Sequence, residues 1–431
     1  MYRDKIEELK AWKESKNRKP LILNGARQVG KTWLLKEFGN QFYDRTAYIN
    51  LADNQRIYEL FEGDFDIERI VDGLELFSGV KIEPGNTLII LDEIQSCPRA
   101  LESLKYFQEK RPDYHVVVAG SLLGIALHGG AASFPVGKVS TKHLYPMTFT
   151  EFLRATGKGQ YAEAIKTGDA ERLRPFHSLL IDLLKVYMVV GGMPEVVQNY
   201  IDEGNVLQTR ELQDEIIADY ERDFAKHAPA NTVPKIQELF RILPKELAKE
   251  NKKFLFSMIK TGARAADYEA ALLWLESAGI AKRINRVEAV KHPLSAYYEK
   301  DAFKLYLLDV GLLGAMAGLD PKVILDGDEL FVEFRGALSE QLVFSELTAT
   351  GHTLWYYKKD KPTREVDFLI EKNAEIIPIE VKSGEKTYSS SLGEYLREYS
   401  SVRAIKISQA DYRPRQNGSV EYLPLYMAES I

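Results

Sequence analysis

Between Pro20 and Leu144 the chain repeats one arrangement: a short run that is apolar throughout, a helical stretch, then another such run. The runs are Leu21-Ile22-Leu23, Ala47-Tyr48-Ile49, Leu88-Ile89-Ile90-Leu91 and Val116-Val117-Val118. A strand with one face in water alternates apolar and polar residues, whereas a strand covered by helices on both faces has no polar side to show. The order strand–helix–strand therefore predicts an α/β fold with a parallel sheet. Ahead of it, residues 1–18 read as a charged helix with Ile6, Leu9 and Trp12 on one face.

The pattern then changes. From Thr148 to about Ala248 it is helical, with Glu151-Phe152-Leu153, Leu179 to Val190 and Val206 to Tyr220 as helices and Gly191-Gly192-Met193-Pro194 as a stop and restart. From Asn251 to about Gly311 two helical stretches precede a hairpin, and from Glu333 to Ile431 a helix precedes strand-type alternation. The expected domains are residues 1–147, 148–248, 249–325 and 326–431. With 45% hydrophobic and 28% charged residues, there is enough apolar material for sizeable cores. One cysteine, Cys97, excludes an intrachain disulfide and a Cys-built zinc site. A net charge of −6 excludes a globally basic nucleic-acid coat protein but leaves room for a local basic patch. Met1 to Lys10 lacks the apolar core of a signal peptide, and Leu179 to Met193 is short and broken by Asp182 and Lys185. The expectation is a cytoplasmic protein with no membrane partner.

One loop carries chemistry. Gly25-Ala26-Arg27-Gln28-Val29-Gly30-Lys31-Thr32 matches G-x-x-x-x-G-K-[ST], and it sits between a strand-like run and the helical Trp33 to Phe38. Glycines let the backbone turn so that successive N–H groups point at phosphate oxygens. The helix N-terminus adds positive partial charge. Lys31 would place a full charge between the outer phosphates, and Thr32 would offer its hydroxyl to Mg²⁺.

The run Leu88 to Leu91 ends at Asp92-Glu93. Open α/β sheets bind ligands at the carboxyl ends of their strands. Asp92 there would hold Mg²⁺ through water, and Glu93 would orient and activate the attacking water. The run His115 to Ala119 ends at Gly120-Ser121, which puts Ser121 within reach of the γ-phosphate or that water, or makes it a helix cap. Arg99, Arg222 and Lys138 are candidates for the group that stabilises transition-state charge, as is an arginine from a second copy in a homo-oligomer.

These elements resemble the AAA-type P-loop ATPases. The words Gly25 to Thr32 and Leu91-Asp92-Glu93-Ile94-Gln95 resemble a prokaryotic family in which a compact AAA domain precedes a C-terminal region labelled a domain of unknown function. Further echoes are Tyr145-Pro146-Met147-Thr148-Phe149-Thr150-Glu151-Phe152, Gly191-Gly192-Met193-Pro194 and Leu305-Tyr306-Leu307-Leu308-Asp309-Val310-Gly311-Leu312. Lys138 departs from the pattern, which has an arginine after that glycine. The resemblance implies ATP binding.

Two later segments suggest contact with nucleic acid. Lys253 to Met258, Ala265 to Tyr268 and Ala271 to Gly279 read as a helix-turn-helix with Ile280 to Val290 as a wing. Residues 251–300 hold nine Lys/Arg and five Asp/Glu, a local positive charge suited to weak, salt-sensitive DNA contact or to a solvated packing module. Farther on, Glu365 to Ile370 and Ile376 to Lys382 alternate as two strands joined by a turn at Lys372-Asn373-Ala374. Side-chain alternation brings Asp367, Glu380 and Lys382 to one spot. This resembles the nuclease superfamily defined by an Asp followed by Glu-x-Lys. The resemblance implies that Asp367 and Glu380 bind Mg²⁺, that Lys382 positions water, and that Glu340 on the helix Phe334 to Leu347 is the extra helical acid. Pro378 runs against it, because a proline in a central strand loses a ladder hydrogen bond.

Two functional readings follow. One is a Mg²⁺-dependent AAA-type ATPase whose C-terminal part binds, and in one form cuts, nucleic acid. The other is a slow ATP-dependent switch that holds a protein partner and carries an inactive nuclease-like domain.

Overall fold

The computed structural model describes residues 1–53, 55–120, 134–249, 253–259, 262–326, 332–360, 363–384, 390–399, 403–414 and 420–431. The chain forms two units, one of Met1–Tyr145 with Ser277–Gly279, the other of Pro146–Glu276 with Ile280–Ile431.

The first unit holds β1 (Leu21–Asn24), β2 (Arg45–Asn50), β3 (Thr87–Asp92), β4 (His115–Ala119) and β5 (Ser140–His143). They make one sheet in the order β2-β3-β4-β1-β5, with every pairing parallel. The four apolar runs are β1 to β4, of which β2 lies at an edge of the sheet, and β3 and β4 are buried at every position. β5 escaped the sequence reading because its burial alternates along Ser-Thr-Lys-His, so it carries no apolar run. Ile67–Ser78 and Pro98–Lys110 cover one core, in which Ile70, Leu74, Leu104 and Phe107 pack against Ile89 and Val118. The N-terminal helix Lys5–Glu14 buries Ile6, Leu9 and Trp12, the three residues read as its apolar face.

The second unit is helical from Phe149 to Leu247, then continues into β6 (Ala281–Val287) and β7 (Tyr298–Leu307), the helix Val332–Ala349, β8 (Trp355–Asp360), β9 (Thr363–Lys372), β10 (Glu375–Val381), β11 (Ala404–Ser408) and β12 (Val420–Pro424). These seven strands form one mixed sheet, β12-β11-β10-β9-β8-β6-β7. The hairpin read as a wing is thus β6–β7, and it joins the C-terminal strands through β6 and β8. The boundary expected at 325/326 falls inside this shared sheet. The helix-turn-helix reading also changes in detail. Lys253 to Met258 yields only a short 3-10 turn at Phe256–Met258, and the two pieces read between Ala265 and Gly279 are one helix, Ala265–Ser277. Among the described residues no helix is long and apolar enough to cross a membrane.

The family-like words of the second unit meet each other. Met147 donates its amide to Gly192 O at 2.7 Å, and Gly192 donates its own to Asp309 Oδ2 at 2.7 Å. Tyr187 Oη donates to Met147 O at 2.6 Å. Gly191 has φ +74°, and a Cβ there would stand 2.3 Å from Asp309 Oδ1, so only glycine fits. These words are a buried hydrogen-bonded junction: their letters answer to packing and polar satisfaction.

His115 gives the first unit a pH signature. Its Nδ1 lies 2.8 Å from Tyr43 Oη, and its ring meets Trp12 edge-on at 6.1 Å. Burial, helped by Arg18 and Lys13, lowers its pKa from 6.5 to about 4. Between those values the unfolded chain binds a proton that the folded chain refuses. Stability is therefore complete above 6.5 and falls on acidification towards 4, by up to about 1.4 kcal/mol per pH unit. Urea unfolding of wild type and His115→Gln should show the wild type losing more stability between pH 7 and 4.5; parallel losses would refute this account.

Candidate functional site

The sheet order builds the site. β1 lies beside β4, and β4 beside β3, so the loop after β1 and the end of β3 are two strand positions apart, roughly 10 Å. Side chains from each end can meet across the carboxyl end of β4. They do. Thr32 Oγ1, in the first turn of the helix Lys31–Phe42, donates to Asp92 Oδ2 at 2.6 Å. The same oxygen accepts Tyr48 Oη at 3.1 Å, and Asp92 Oδ1 accepts the amide of Glu93 at 3.0 Å. Lys36 stands over the Tyr48 ring, 3.6 Å from its centre.

The loop backbone is wound as the glycine pattern requires. Gly30 has φ +89°, and a Cβ on Gly25 would meet Leu144 O at 2.4 Å. Gln28 and Glu93 also hold positive φ, 64° and 52°, in a region costly for residues with a Cβ. Such outliers gather at working sites. Lys31 is buried and donates to Gly25 O at 2.9 Å and Ala26 O at 2.7 Å. Burial lowers its pKa to about 8, against the pull of Glu93 and Asp92 and with Arg27 adding to the shift. Glu93 accepts the side-chain amide of Gln95, and Gly120 at the end of β4 is bare where a Cβ would strike Gln95 Oε1 at 2.3 Å. Ser121 lies outside the described residues.

Of the arginine-finger candidates, Arg99 bonds Glu102 and Gly63 O, Arg222 pairs with Asp219, and Lys138 pairs with Glu109 at 2.9 Å. Two residues near the loop escaped the sequence reading. Tyr48 lies in a run that marks only a strand. Arg3, buried near the N-terminus, donates to Val29 O at 2.9 Å and Tyr145 O at 2.6 Å, and nothing in its local sequence marks it.

The second unit brings Glu340, Asp367, Glu380 and Lys382 together, with additions. Lys382 Nζ is 2.7 Å from Glu380 Oε1. Asp367 Oδ2 accepts the Val381 amide at 2.8 Å. Lys304 on β7, fully buried, is 3.0 Å from Glu340, 2.7 Å from Glu365 and 3.7 Å from Asp367. Burial opposes charge on Lys304 and on Lys382, yet the acids around them outweigh it and hold both above the ordinary lysine value. Lys406 on β11 pairs in register with Glu380; there burial wins and lowers the ammonium to about 8. Lys304 and Lys406 were legible as lone charges inside the apolar runs Ala302 to Leu307 and Ala404 to Ile407. Pro378 is tolerated because the β11 ladder begins only at Ile379.

Residues 17–153 match the family model described as an AAA domain. Residues 181–323 and 335–427 match two models described as domains of unknown function (DUF8612 and DUF4143). No curated protein matches the chain. Among solved structures it is similar to a Walker-type ATPase of Pyrococcus abyssi (15% identity, 73% of this chain and 95% of that one, TM-score 0.46). It is also similar to the ORC2 protein of Aeropyrum pernix (13%, 79% and 95%, TM-score 0.34). A third is the RuvB Holliday junction branch migration motor of Thermotoga maritima (15%, 66% and 90%, TM-score 0.30). The N-terminal region is thus similar to an AAA domain, on a parallel sheet that carries the P-loop sequence.

Arg3→Ala removes the donors of one buried and one part-buried carbonyl. Chemical denaturation should show a loss of about 2–3 kcal/mol, with weaker binding of an ATP analogue because Val29 lies inside the loop. An unchanged midpoint would show that Arg3 is incidental.

Proposed function

We propose that the chain binds ATP with Mg²⁺ at the loop Gly25 to Thr32 and hydrolyses it. The observation that carries this reading is the 2.6 Å hydrogen bond from Thr32 to Asp92, residues sixty positions apart. It puts a hydroxyl and a carboxylate, both hard oxygen donors, beside a glycine-wound loop that leads into a helix N-terminus, the kind of place that binds anions. That donor set fits Mg²⁺, with Thr32 binding it and Asp92 holding it through water. When bound, the ion neutralises charge that develops on the outer phosphates. Lys31, lifted from its two carbonyl partners, would lie along the same phosphates. Glu93, released from Gln95, would accept the proton of the attacking water. Ser121 would contact the γ-phosphate. The cations Arg99, Arg222 and Lys138 are each engaged by acids, which favours an arginine from a second copy as the transition-state donor.

For the second unit, nucleic-acid contact through residues 251–300 and the C-terminal strands is the first reading, with strand scission at Asp367, Glu380 and Lys382 as its strongest form. A specific observation favours the other reading, a slow switch that holds a protein partner. Arg283 is clamped by Glu276 at 2.7 Å and Glu269 at 3.0 Å, and Arg286 Nη2 bonds Glu299 at 2.6 Å. Charges spent on internal acids release few counterions from DNA.

Lys31→Ala should abolish ATP-analogue binding in a fluorescence titration. Glu93→Gln should keep the affinity and lower single-turnover hydrolysis by roughly 10²–10⁴-fold; unchanged turnover would remove Glu93 from its role. Steady-state phosphate release with and without DNA separates the two readings. Stimulation by DNA supports nucleic-acid coupling, and negligible turnover in both supports the switch.

A further inference from the structure

Two of the acids that the nuclease resemblance singles out, Glu340 and Asp367, surround together with Glu365 a cation that the chain already carries. Lys304 Nζ is hydrogen-bonded to Glu340 Oε1 and Glu365 Oε1 and lies 3.7 Å from Asp367 Oδ1. Alternation explains the convergence. Glu365 and Asp367 are two apart on β9, and Lys304 and Tyr306 are two apart on β7, so each pair shares a face. Tyr306 Oη donates to Glu340 as well. The second oxygen of Asp367 is taken by the Val381 amide, and Glu380 is paired with Lys382.

A magnesium-type site needs several oxygens free to converge at roughly 2.0–2.6 Å on one point. Here the point is held by an ammonium at hydrogen-bond distance from Glu340 and Glu365 and 3.7 Å from Asp367, which shuts out a divalent ion by volume and by charge. Among the described residues no group of three or more His, Cys, Asp or Glu side chains is arranged to hold a metal ion.

We propose that Lys304 is a tethered cation standing in the place of a metal, so that the cage of Glu340, Glu365 and Asp367 takes up no divalent ion and clamps the helix Val332–Ala349 to β7 and β9. Without a metal to activate water, the carboxylates have no route to phosphodiester hydrolysis. The same letters that spell a nuclease then serve cohesion. Buried acids need a counter-charge, and a covalent one is always present.

The test uses the nucleotide-free full chain and Mn²⁺ alone, read by loss of the free Mn²⁺ signal in electron paramagnetic resonance and by thermal unfolding. Wild type and Asp367→Asn should give superimposable Mn²⁺ titrations, since neither holds an ion there and both keep Thr32 and Asp92. Lys304→Ala empties the cage: it should melt several degrees lower than wild type, take up one additional Mn²⁺, and regain melting temperature as Mn²⁺ is added. Wild-type uptake of Mn²⁺ that Asp367→Asn loses would overturn the proposal, whether or not Lys304→Ala folds. So would a Lys304→Ala protein as stable as wild type, or one that folds and takes up no additional ion.

Discussion

One hydrogen bond organises the first unit. For Thr32 to reach Asp92, β1 must enter the sheet beside β4 while β3 stands on the far side of β4, and the chain must leave β1 through a turn tight enough to start a helix at Lys31. The parallel order does the first, since each crossover carries the chain back to the same edge and stacks the carboxyl ends of all five strands together. The positive φ of Gln28 and Gly30 does the second. Arg3 then ties the loop at Val29 to Tyr145, so the N-terminal segment and the end of the unit both brace the turn.

The second unit solves a different electrostatic problem. It buries Glu340, Glu380, Lys304 and Lys406 in and under one sheet. Removing charges from water costs several kcal/mol each unless partners replace the solvent. The fold meets that cost by alternating acids and lysines, each acid within reach of an ammonium. Such a network is sensitive to the loss of any one member, because what remains is a buried unpaired charge. It holds the helix Val332–Ala349 in one orientation on the sheet more strictly than apolar packing alone would.

Legibility followed burial. Runs apolar throughout, such as Leu88 to Leu91, announce buried parallel strands, and β1, β3 and β4 could be read that way, as could the edge strand β2 through Ala47-Tyr48-Ile49. β5 could not, because its four residues, Ser-Thr-Lys-His, include no apolar run. The P-loop was legible because its backbone conformation demands glycine at fixed spacing. Asp92 and Glu93 were legible because acids at the end of an apolar run are conspicuous. Arg3 and Tyr48 were not, since their partners lie 26 and 44 positions away. In the second unit the helix-turn-helix letters were visible, yet their pairing into a sheet with β8 was not, because strand partners fifty or more positions apart leave no local trace.

By itself the sequence determined much of the local backbone: the apolar stretches that are strands, where the phosphate-type loop turns, and which acids end a strand. Those follow from hydrophobic period and from the few residues that accept positive φ. Tertiary structure alone decided who meets whom. It set Thr32 against Asp92, which sharpened a motif into a site, and it set Lys304 among Glu340, Glu365 and Asp367, which turned a nuclease-like set of letters into a self-neutralised cage. The reason is that charge and hydrogen-bond partners are chosen by distance in space, and a sequence records only distance along the chain.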